Sequence, residues 1–310
     1  MKALVAAPGA DGNVDLVDVA EPQPRPNEAL VDVRATSLNR GEVHALEHAQ
    51  AGWRPGWDVA GVVEKGAADG TGPGEGSRVV GLAPSGAWGE RVALPTTRLI
   101  NLPDDVSFDA AATLPVAGMT ARRVVEMHAF DSGRVAVTGA AGGVGRFVVQ
   151  LAAQKGAHVT AVVGRPERGE GLHELGAADV VVGSLPAEGE PFSLVLESVG
   201  GQSLAAALSR VAPEGLVVSL GNSSGEPTSF VVSDFYRKAG ARLYAFVLSS
   251  EVERSHSATT DLGFLANLVA IGHLDVGIDR VVDSADVDGV RTACADLLER
   301  NVNGKAVLRF

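Results

Sequence analysis

The glycine-rich stretch at residues 139–145 carries the clearest chemical signal in this chain. It follows a run with β-branched residues, Arg134 to Thr138, and precedes apolar residues at helical spacing. This order predicts a strand, a tight turn and a helix whose N-terminus binds a phosphate through backbone N–H groups. A side chain in the turn would hold a pyrophosphate away from those groups. The residues that we expect to bind the phosphate are Gly139, Ala141, Gly142, Gly143, Val144 and Gly145.

The residues around this turn alternate between predicted strands and helices. Apolar runs predict strands at 134–138, 158–163, 179–182, 194–197, 216–220 and 242–247. Helical patterns cover 110–125, with interruptions at Pro115 and Gly118, and also cover 144–155, 167–175 and 202–211. Continuously apolar strands that alternate with helices indicate an α/β fold with a parallel sheet covered on both faces.

The two ends of the chain have different patterns. Residues up to about 94 form several short predicted strands separated by turns, which suggests a small barrel. From about residue 249 the pattern predicts an apolar helix, a second helix and a short strand at 305–310. Cys294 lies on the apolar stripe of the second helix, so we predict that it packs in a core. The pattern does not say where this last segment packs.

Bulk composition excludes several classes of protein. The chain has 310 residues, enough for two domains, and 45% of them are hydrophobic. Its net charge of −12 argues against nucleic acid as a partner. One cysteine cannot form an internal disulfide or a cysteine-rich zinc site, and no stretch is apolar enough for a signal peptide or a membrane span. We therefore expect a cytoplasmic protein that binds a small molecule.

The type of dinucleotide is predicted from the end of the second strand of the α/β region. NAD-binding sites place an acidic residue about twenty residues after the glycine motif, where it binds the ribose hydroxyls. Arg165 occupies that position, and Arg168 follows in the next turn. Because a guanidinium binds a phosphate through two N–H groups, the pair favours the 2′-phosphate of NADPH. The alternative is a pair of solvated surface arginines.

Several separated stretches resemble the zinc-independent quinone oxidoreductase-like branch of the medium-chain dehydrogenase/reductase superfamily, which also includes enoyl reductases. The matching stretches are residues 37–39, 56–63, 114–121, 139–145, 175–177, 197–201, 221–225 and 304–305. The resemblance implies a GroES-like β-barrel made of both chain ends, a Rossmann domain with a doubly wound parallel sheet, NADPH in the cleft between them, and homodimers. The expected boundaries are 1–108 for the GroES-like catalytic domain, 109–248 for the NADPH-binding domain and 249–310 for the return to the catalytic domain.

The resemblance also bears on metal binding. Alcohol dehydrogenases of the superfamily hold zinc with an early cysteine and a histidine–glutamate pair. Trp57-Asp58 takes the place of that pair, and residues 38–40 take the place of the cysteine. Since indole and asparagine are poor zinc ligands in such a site, we predict no metal. An alternative cluster without recognised ligand spacing consists of Glu42, His44, Glu47 and His48.

The predicted catalytic residues are Asn39, Arg40, His44 and Thr120. Asn39 and Thr120 match family positions beside the nicotinamide, although Thr120 also suits a helix interior. His44 stands where many members have a tyrosine, and it either protonates the substrate or is a surface histidine. Arg40 either stabilises an enolate or hydroquinone oxygen or pairs with Glu42. Asp58 either pairs with a buried cation or positions the substrate.

Residues 221–225 match the G-x-S-x-G pattern of serine hydrolases. That motif requires a helix directly after it, but Glu226-Pro227-Thr228 follows. We therefore interpret the segment as a loop after a Rossmann strand in which Gly221, Asn222 and Ser223 contact the cofactor.

The predicted function is zinc-independent, NADPH-dependent hydride transfer to a quinone or to an activated alkene of an α,β-unsaturated carbonyl compound. The sequence does not separate these two acceptors. One alternative is an NADPH-binding protein without redox turnover or with a non-redox biosynthetic role. Another is a zinc alcohol dehydrogenase.

Overall fold

The computed structural model describes residues 1–129 and 133–310, and their contacts group into two compact units. The first unit contains Met1–Met119 and Val252–Phe310, and the second contains Thr120–Glu251. The boundaries between the two units thus lie after residues 119 and 251. The boundaries expected from the sequence lie after residues 108 and 248. The functions assigned to the three expected segments stay predictions.

The first unit is built mainly from antiparallel strands. They are β1 (Lys2–Ala6), β2 (Val14–Asp18), β3 (Glu28–Ser37), β4 (Asp58–Lys65), β5 (Arg78–Leu82), β6 (Arg91–Pro95), β7 (Leu99–Asn101), β14 (Ile278–Asp283) and β15 (Lys305–Arg309). Strands β1 and β2 form a hairpin-like pair, and the larger sheet has the order β14-β15-β3-β4-β5-β7, with β6 also paired to β3. Alternate residues of β3 are buried, as its apolar–polar alternation predicts.

Strand β3 joins distant parts of the chain. Its first half pairs with β6, and its second half pairs with β15, where Ser37 lies opposite Val307. The last strand of the chain therefore belongs to the same sheet as β3 and β4.

The helices of the first unit are α1 (Arg40–Ala45), α2 (Phe108–Ala112), α8 (Thr259–Ala270) and α9 (Val287–Leu298). Short 3-10 turns lie at Asp11–Asn13 and Thr96–Arg98, and a π-helical turn lies at Leu114–Gly118. Helix α9 contributes Cys294 to a core that also contains Leu4 and Trp88, which confirms the predicted packing role of the thiol. Burial raises the pKa of Cys294 to about 12.

The second unit is an α/β layer structure around a parallel sheet. Its strands are β8 (Arg134–Thr138), β9 (His158–Val163), β10 (Asp179–Val182), β11 (Phe192–Glu197), β12 (Val211–Ser219) and β13 (Arg242–Ala245). Its helices are α4 (Gly143–Gln154), α5 (Gly201–Arg210) and α6 (Val232–Tyr236), while α3 (Met119–Glu126) and α7 (Leu248–Ser255) contain the unit boundaries.

The strand order of this sheet is β10-β9-β8-β11-β12-β13. Numbered within the unit, that order is 3-2-1-4-5-6, the arrangement of the Rossmann fold. The chain reverses its direction of winding between β8 and β11, and ligands of such sheets bind at the carboxyl ends of the strands at this point. The predicted α/β class with a parallel sheet is confirmed.

The prediction of a helix at residues 167–175 is wrong. Residues Pro166–Gly169 form a short 3-10 turn, and the chain continues to Gly176 as successive turns. Gly171 has a φ of +74°, a left-handed conformation that a continuous helix cannot contain. Leu172 is the only buried residue of 167–175, so this segment has no buried helical face.

Candidate active site

The glycine turn between β8 and α4 shows a different requirement at each glycine. Gly139 has a φ of +62°, which favours glycine. A Cβ at Gly145 would lie 2.5 Å from the Gly139 carbonyl oxygen and 2.6 Å from the Ala140 Cα, so this glycine lets the helix pack on the strand. A Cβ at Gly142 would meet only the Gly139 oxygen, at 3.3 Å. Gly142 therefore faces free space, which suits the close approach of a pyrophosphate.

The N-terminus of α4 is ready to bind an anion. Gly142 is the N-cap residue, and no side chain caps the helix there. The first N–H groups of a helix have no intrahelical acceptor, and the helix dipole favours negative charge at this end. The open space at Gly142 and these N–H groups together fit a dinucleotide phosphate.

The loops at the carboxyl ends of the neighbouring strands are tied to this turn. The Ala140 N–H donates to the Val162 carbonyl of β9 at 3.1 Å, and the Ser198 hydroxyl donates to the Thr138 carbonyl of β8 at 3.0 Å. The Ser223 N–H donates to the Ser198 carbonyl at 3.2 Å. The structure thus brings the glycine turn and the 221–223 loop to one edge of the sheet, as predicted for cofactor-binding segments.

Glu197 organises this edge of the sheet, a role that the sequence analysis did not predict. Its buried carboxylate accepts hydrogen bonds from the Thr138 hydroxyl at 3.2 Å, the Ser203 hydroxyl at 2.8 Å and the Gly200 N–H at 3.0 Å. It therefore links the end of β8 to the start of α5. The signal was an acidic residue that ends an otherwise apolar strand just before a Gly-Gly pair.

The two arginines predicted to bind a 2′-phosphate follow β9. Arg165 is exposed at the start of the 3-10 turn, and Arg168 lies inside that turn and is partly exposed. Because β9 neighbours β8 in the sheet, both arginines follow the strand next to the glycine turn. Their binding to a phosphate stays a prediction.

In the first unit, a buried polar network surrounds Asn39. The Asn39 amide donates to Asp58 Oδ2 at 2.8 Å and to Glu42 Oε1 at 3.1 Å. Its carbonyl oxygen accepts from Lys305 Nζ at 2.7 Å. Lys305 is only 3% exposed, and its ammonium also donates to the Leu38 carbonyl at 2.9 Å. Since its polar atoms have these partners, Asn39 holds the network together; its predicted place beside the nicotinamide stays a prediction.

Asp58 pairs with a buried cation, which decides one alternative that the sequence left open. Its carboxylate lies 3.5 Å from Lys305 Nζ and accepts a hydrogen bond from the Ser37 hydroxyl. It also accepts from the Val116 N–H at 2.8 Å. Val116 lies in the π-helical turn. This turn interrupts the helical segment 110–125 at the place where Pro115 and Gly118 led us to expect an interruption. Such turns are frequent at functional sites because they redirect backbone groups.

Glu42 is the unusual member of this network. Its Oε1 accepts the Asn39 N–H at 2.8 Å, which caps the start of α1, but its buried Oε2 has no hydrogen-bond partner among the described residues. Burial and the nearby Asp58 carboxylate raise the pKa of Glu42 to about 8, although Lys305 opposes the shift. The surroundings of Glu42 therefore favour its protonated form.

Replacing Glu42 with glutamine is expected to remove a pH-dependent loss of stability. The folded-state pKa of about 8 lies above the ordinary value of 4.5, so the free energy of unfolding falls as pH rises between these values. The E42Q side chain stays neutral at both pH values. The free energy of unfolding of E42Q minus that of wild type should therefore be about 1–3 kcal/mol larger at pH 9 than at pH 4. Thermal unfolding from pH 4 to 9 measures this, with E47Q at an exposed position as the control. Equal pH profiles for wild type and E42Q would contradict the prediction.

The other predicted catalytic residues have distinct surroundings. The Arg40 guanidinium donates to the Leu297 and Leu298 carbonyls at 2.9 and 2.7 Å, so the alternative in which it pairs with Glu42 does not hold, and its catalytic role stays a prediction. It stabilises the C-terminal end of α9, where carbonyls lack intrahelical donors. The His44 side chain is 66% exposed, and its Nδ1 lies 3.4 Å from Glu47. Thr120 is buried in α3 and belongs to the second unit.

Neither unit shows a metal centre in the residues that the structure describes, because no three His, Cys, Asp or Glu side chains there could hold an ion together. In the same residues, no helix is both long and apolar enough to cross a bilayer. The prediction of a metal-free site stays a prediction.

The fold and the glycine turn define a two-unit protein with a Rossmann-type nucleotide site. Two family models match the chain. The alcohol dehydrogenase GroES-like domain covers residues 25–104, and a family described as zinc-binding dehydrogenase covers residues 143–261. The first match confirms the predicted GroES-like domain.

Two relatives and one solved structure are similar to the chain. A quinone oxidoreductase of Pseudomonas aeruginosa is 27% identical and covers 98% of this chain and 97% of its own length. The acrylyl-CoA reductase AcuI of Ruegeria pomeroyi is 30% identical over 69% of this chain and 75% of its own length. The Escherichia coli quinone oxidoreductase in complex with NADPH has a TM-score of 0.87 at 21% identity, with both chains fully covered. The chain belongs to the quinone oxidoreductase-like branch of the medium-chain dehydrogenase/reductase superfamily.

Proposed function

We propose that this protein is a metal-independent oxidoreductase that uses NADPH to reduce a conjugated carbonyl acceptor, either a quinone or an enone. The observation that carries the proposal is the open space at Gly142 in front of the uncapped N-terminus of α4, at the switch point of a Rossmann sheet. The NADPH complex of the E. coli neighbour and the names of the two relatives support the choice of cofactor and reaction.

NADPH supplies a hydride when it is bound. That hydride, together with one proton, would convert one quinone or one activated C=C bond to its two-electron reduced form. Gly142 and the first turn of α4 would hold the pyrophosphate, and the loop at Gly221 would contact the cofactor beside them. His44 donates the proton to the substrate, since it is exposed on α1. The buried network of Asn39, Asp58 and Lys305 positions α1.

The proposed activity is tested by following NADPH oxidation with a panel of quinones and enones. Turnover with at least one acceptor after treatment with a chelator is the expected result. Tight NADPH binding without turnover on any acceptor would favour a protein that binds the cofactor without redox chemistry. Turnover that depends on stoichiometric zinc would overturn the metal-independent proposal.

Arg165→Asp is expected to reverse the cofactor preference. The substitution removes a guanidinium that binds the 2′-phosphate and introduces a carboxylate that repels it. The affinity for NADPH should fall about 100-fold while that for NADH changes less than about threefold, as measured by fluorescence titration. R237D, at an exposed arginine of the same unit, is the control. An unchanged NADPH affinity in R165D would assign the phosphate to other residues.

We also infer that the protein forms homodimers through the edge strand β13. This strand ends the order of the parallel sheet, and Leu243 on it is exposed. An exposed apolar edge strand offers unpaired backbone groups to a second copy. Light scattering should give the mass of two chains, and a one-chain mass at micromolar concentration would contradict this inference.

A further inference from the structure

Arg146 is a cation in the first turn of α4 to which the proposed cofactor site gives no role. It follows Gly145 and is the fourth residue of the helix. The N-terminal end of a helix carries a positive partial charge, so a cation there is unfavourable unless an anion lies nearby. The first turn of α4, which lies wholly in the described part of the chain, contains no acidic residue. An anion that compensates Arg146 would therefore come from outside this helix.

The described residues 1–129 and 133–310 do not supply this anion. The Nε atom of Arg146 is buried without a hydrogen-bond partner among them, and none of their carboxylates forms an ion pair with the guanidinium. The two terminal nitrogens also lack partners there, but they do not belong to the buried unpaired atoms, so solvent reaches them. The end of the side chain is thus available to a ligand from solution.

The Arg146 guanidinium lies against the segment that follows β9. A Cβ at Gly171 would lie 4.0 Å from Nη2 of Arg146, which places this nitrogen beside the backbone of the turn. Gly171 has a left-handed φ of +74° and follows Arg168 by three residues. Arg146 therefore brings a guanidinium from α4 to the segment whose first residues include Arg165 and Arg168.

This edge of the sheet is where a Rossmann site selects between NADPH and NADH, because the adenosine ribose lies near the end of the second strand, which is β9 here. The 2′-phosphate of NADPH is a phosphate monoester, which carries about −1.5 to −2 charges at pH 7 and three strong acceptor oxygens. One guanidinium compensates only part of this charge, and the net charge of −12 adds repulsion from the rest of the chain. Further cations around the phosphate therefore strengthen its binding.

We infer that Arg146 is a further specificity-determining residue of the proposed NADPH site, whose guanidinium binds the 2′-phosphate from the side of α4. This inference rests on the proposed NADPH-dependent function. The phosphate supplies the anion that the first turn of α4 lacks, whereas the 2′-hydroxyl of NADH leaves the Arg146 charge uncompensated. Arg146 thus adds to the preference for NADPH from an element other than the turn after β9.

The test measures by calorimetry the binding of adenosine 2′,5′-bisphosphate and adenosine 5′-monophosphate, two cofactor fragments that differ only in the 2′-phosphate. In R146M the Kd for the bisphosphate should rise about 20-fold because a charge-assisted hydrogen bond is lost, while the Kd for the monophosphate changes less than about twofold. R146K keeps the charge but not the planar fork, so the rise should be about fivefold. K155M is the control, because Lys155 is exposed at the other end of α4.

Fluorescence titrations with NADPH and NADH give a second comparison that does not require turnover. R146M should lose about 20-fold in affinity for NADPH and change less than about twofold for NADH. Affinities for the bisphosphate and NADPH that stay within about twofold of wild type in R146M would overturn the inference and leave the proposed function standing. An equal loss for both fragments would also overturn it, since this result would indicate a general change in α4.

Two further outcomes concern the proposed function. Wild-type protein that binds the bisphosphate no more tightly than the monophosphate would overturn both the inference and the choice of NADPH. Tight NADPH binding that depends on Arg146, without turnover on any acceptor, would support the inference and overturn the proposed reductase activity alone. If R146M fails to fold, R146K decides the outcome.

Discussion

Gly142→Leu is expected to abolish tight NADPH binding and to leave the fold intact. Gly142 has φ and ψ of −80° and 173°, an extended conformation that any residue adopts. A side chain there meets little protein but occupies the space in front of α4, where the pyrophosphate must approach the backbone. We expect the Kd for NADPH to rise at least about 100-fold, equivalent to roughly 2.7 kcal/mol, with a Tm within about 2 °C of wild type.

Two other glycines make this experiment selective. Gly74→Leu is the control for the added side chain, because Gly74 is exposed in the first unit and a Cβ there has no atom within 4 Å. Gly145→Ala is the contrast, since its Cβ would lie 2.5–2.7 Å from backbone atoms of Gly139 and Ala140, and it should destabilise the protein itself. An unchanged Kd in G142L would remove the main support for the proposed cofactor site.

Lys305→Met is expected to destabilise the protein by about 3–5 kcal/mol and to lower the Tm by roughly 10 °C. The substitution leaves the Asp58 carboxylate buried without its cation and removes a donor from the Asn39 carbonyl oxygen. Breaking a buried pair costs more than the pair contributes, because one charge remains without compensation. Since the network positions α1, the kcat should fall as well.

A double substitution shows whether charge is the cause. In D58N/K305M neither charge remains, so the variant should regain at least about 1 kcal/mol relative to K305M. Lys2→Met is the control, because Lys2 also begins a strand and pairs with Asp18 at 2.7 Å, but at the surface. It should change stability by less than about 0.5 kcal/mol. Equal effects of K2M and K305M, measured by urea unfolding, would contradict the role of burial.

The Rossmann part of the fold could be predicted because its signals are local. The turn at Gly139, Gly142 and Gly145 follows its strand directly, and the later strands alternate with helices at short range. The failure at 167–175 was local too, since Gly169 and Gly171 within the apolar spacing argued for turns.

The network around Asn39 could not be predicted, because its members are distant in sequence. Lys305 Nζ binds an oxygen of a residue 266 positions earlier. Periodicity identifies a buried face but not which strand will bring a cation to a particular carboxylate. The sequence suggested only that Asp58 either pairs with a buried cation or positions the substrate. It did not predict that Arg40 binds the carbonyl groups at the C-terminal end of α9.

The pairing of β15 with β3 has a consequence for how the protein forms during translation. Asp58 lies 247 residues before Lys305. At about 5–20 residues per second, a ribosome needs roughly 12–50 s to reach the lysine after making the aspartate. The second unit is synthesised completely within this interval and can fold during it. The network of the first unit cannot be completed before Lys305 emerges, so Glu42 and Asp58 are not buried beside its ammonium until then.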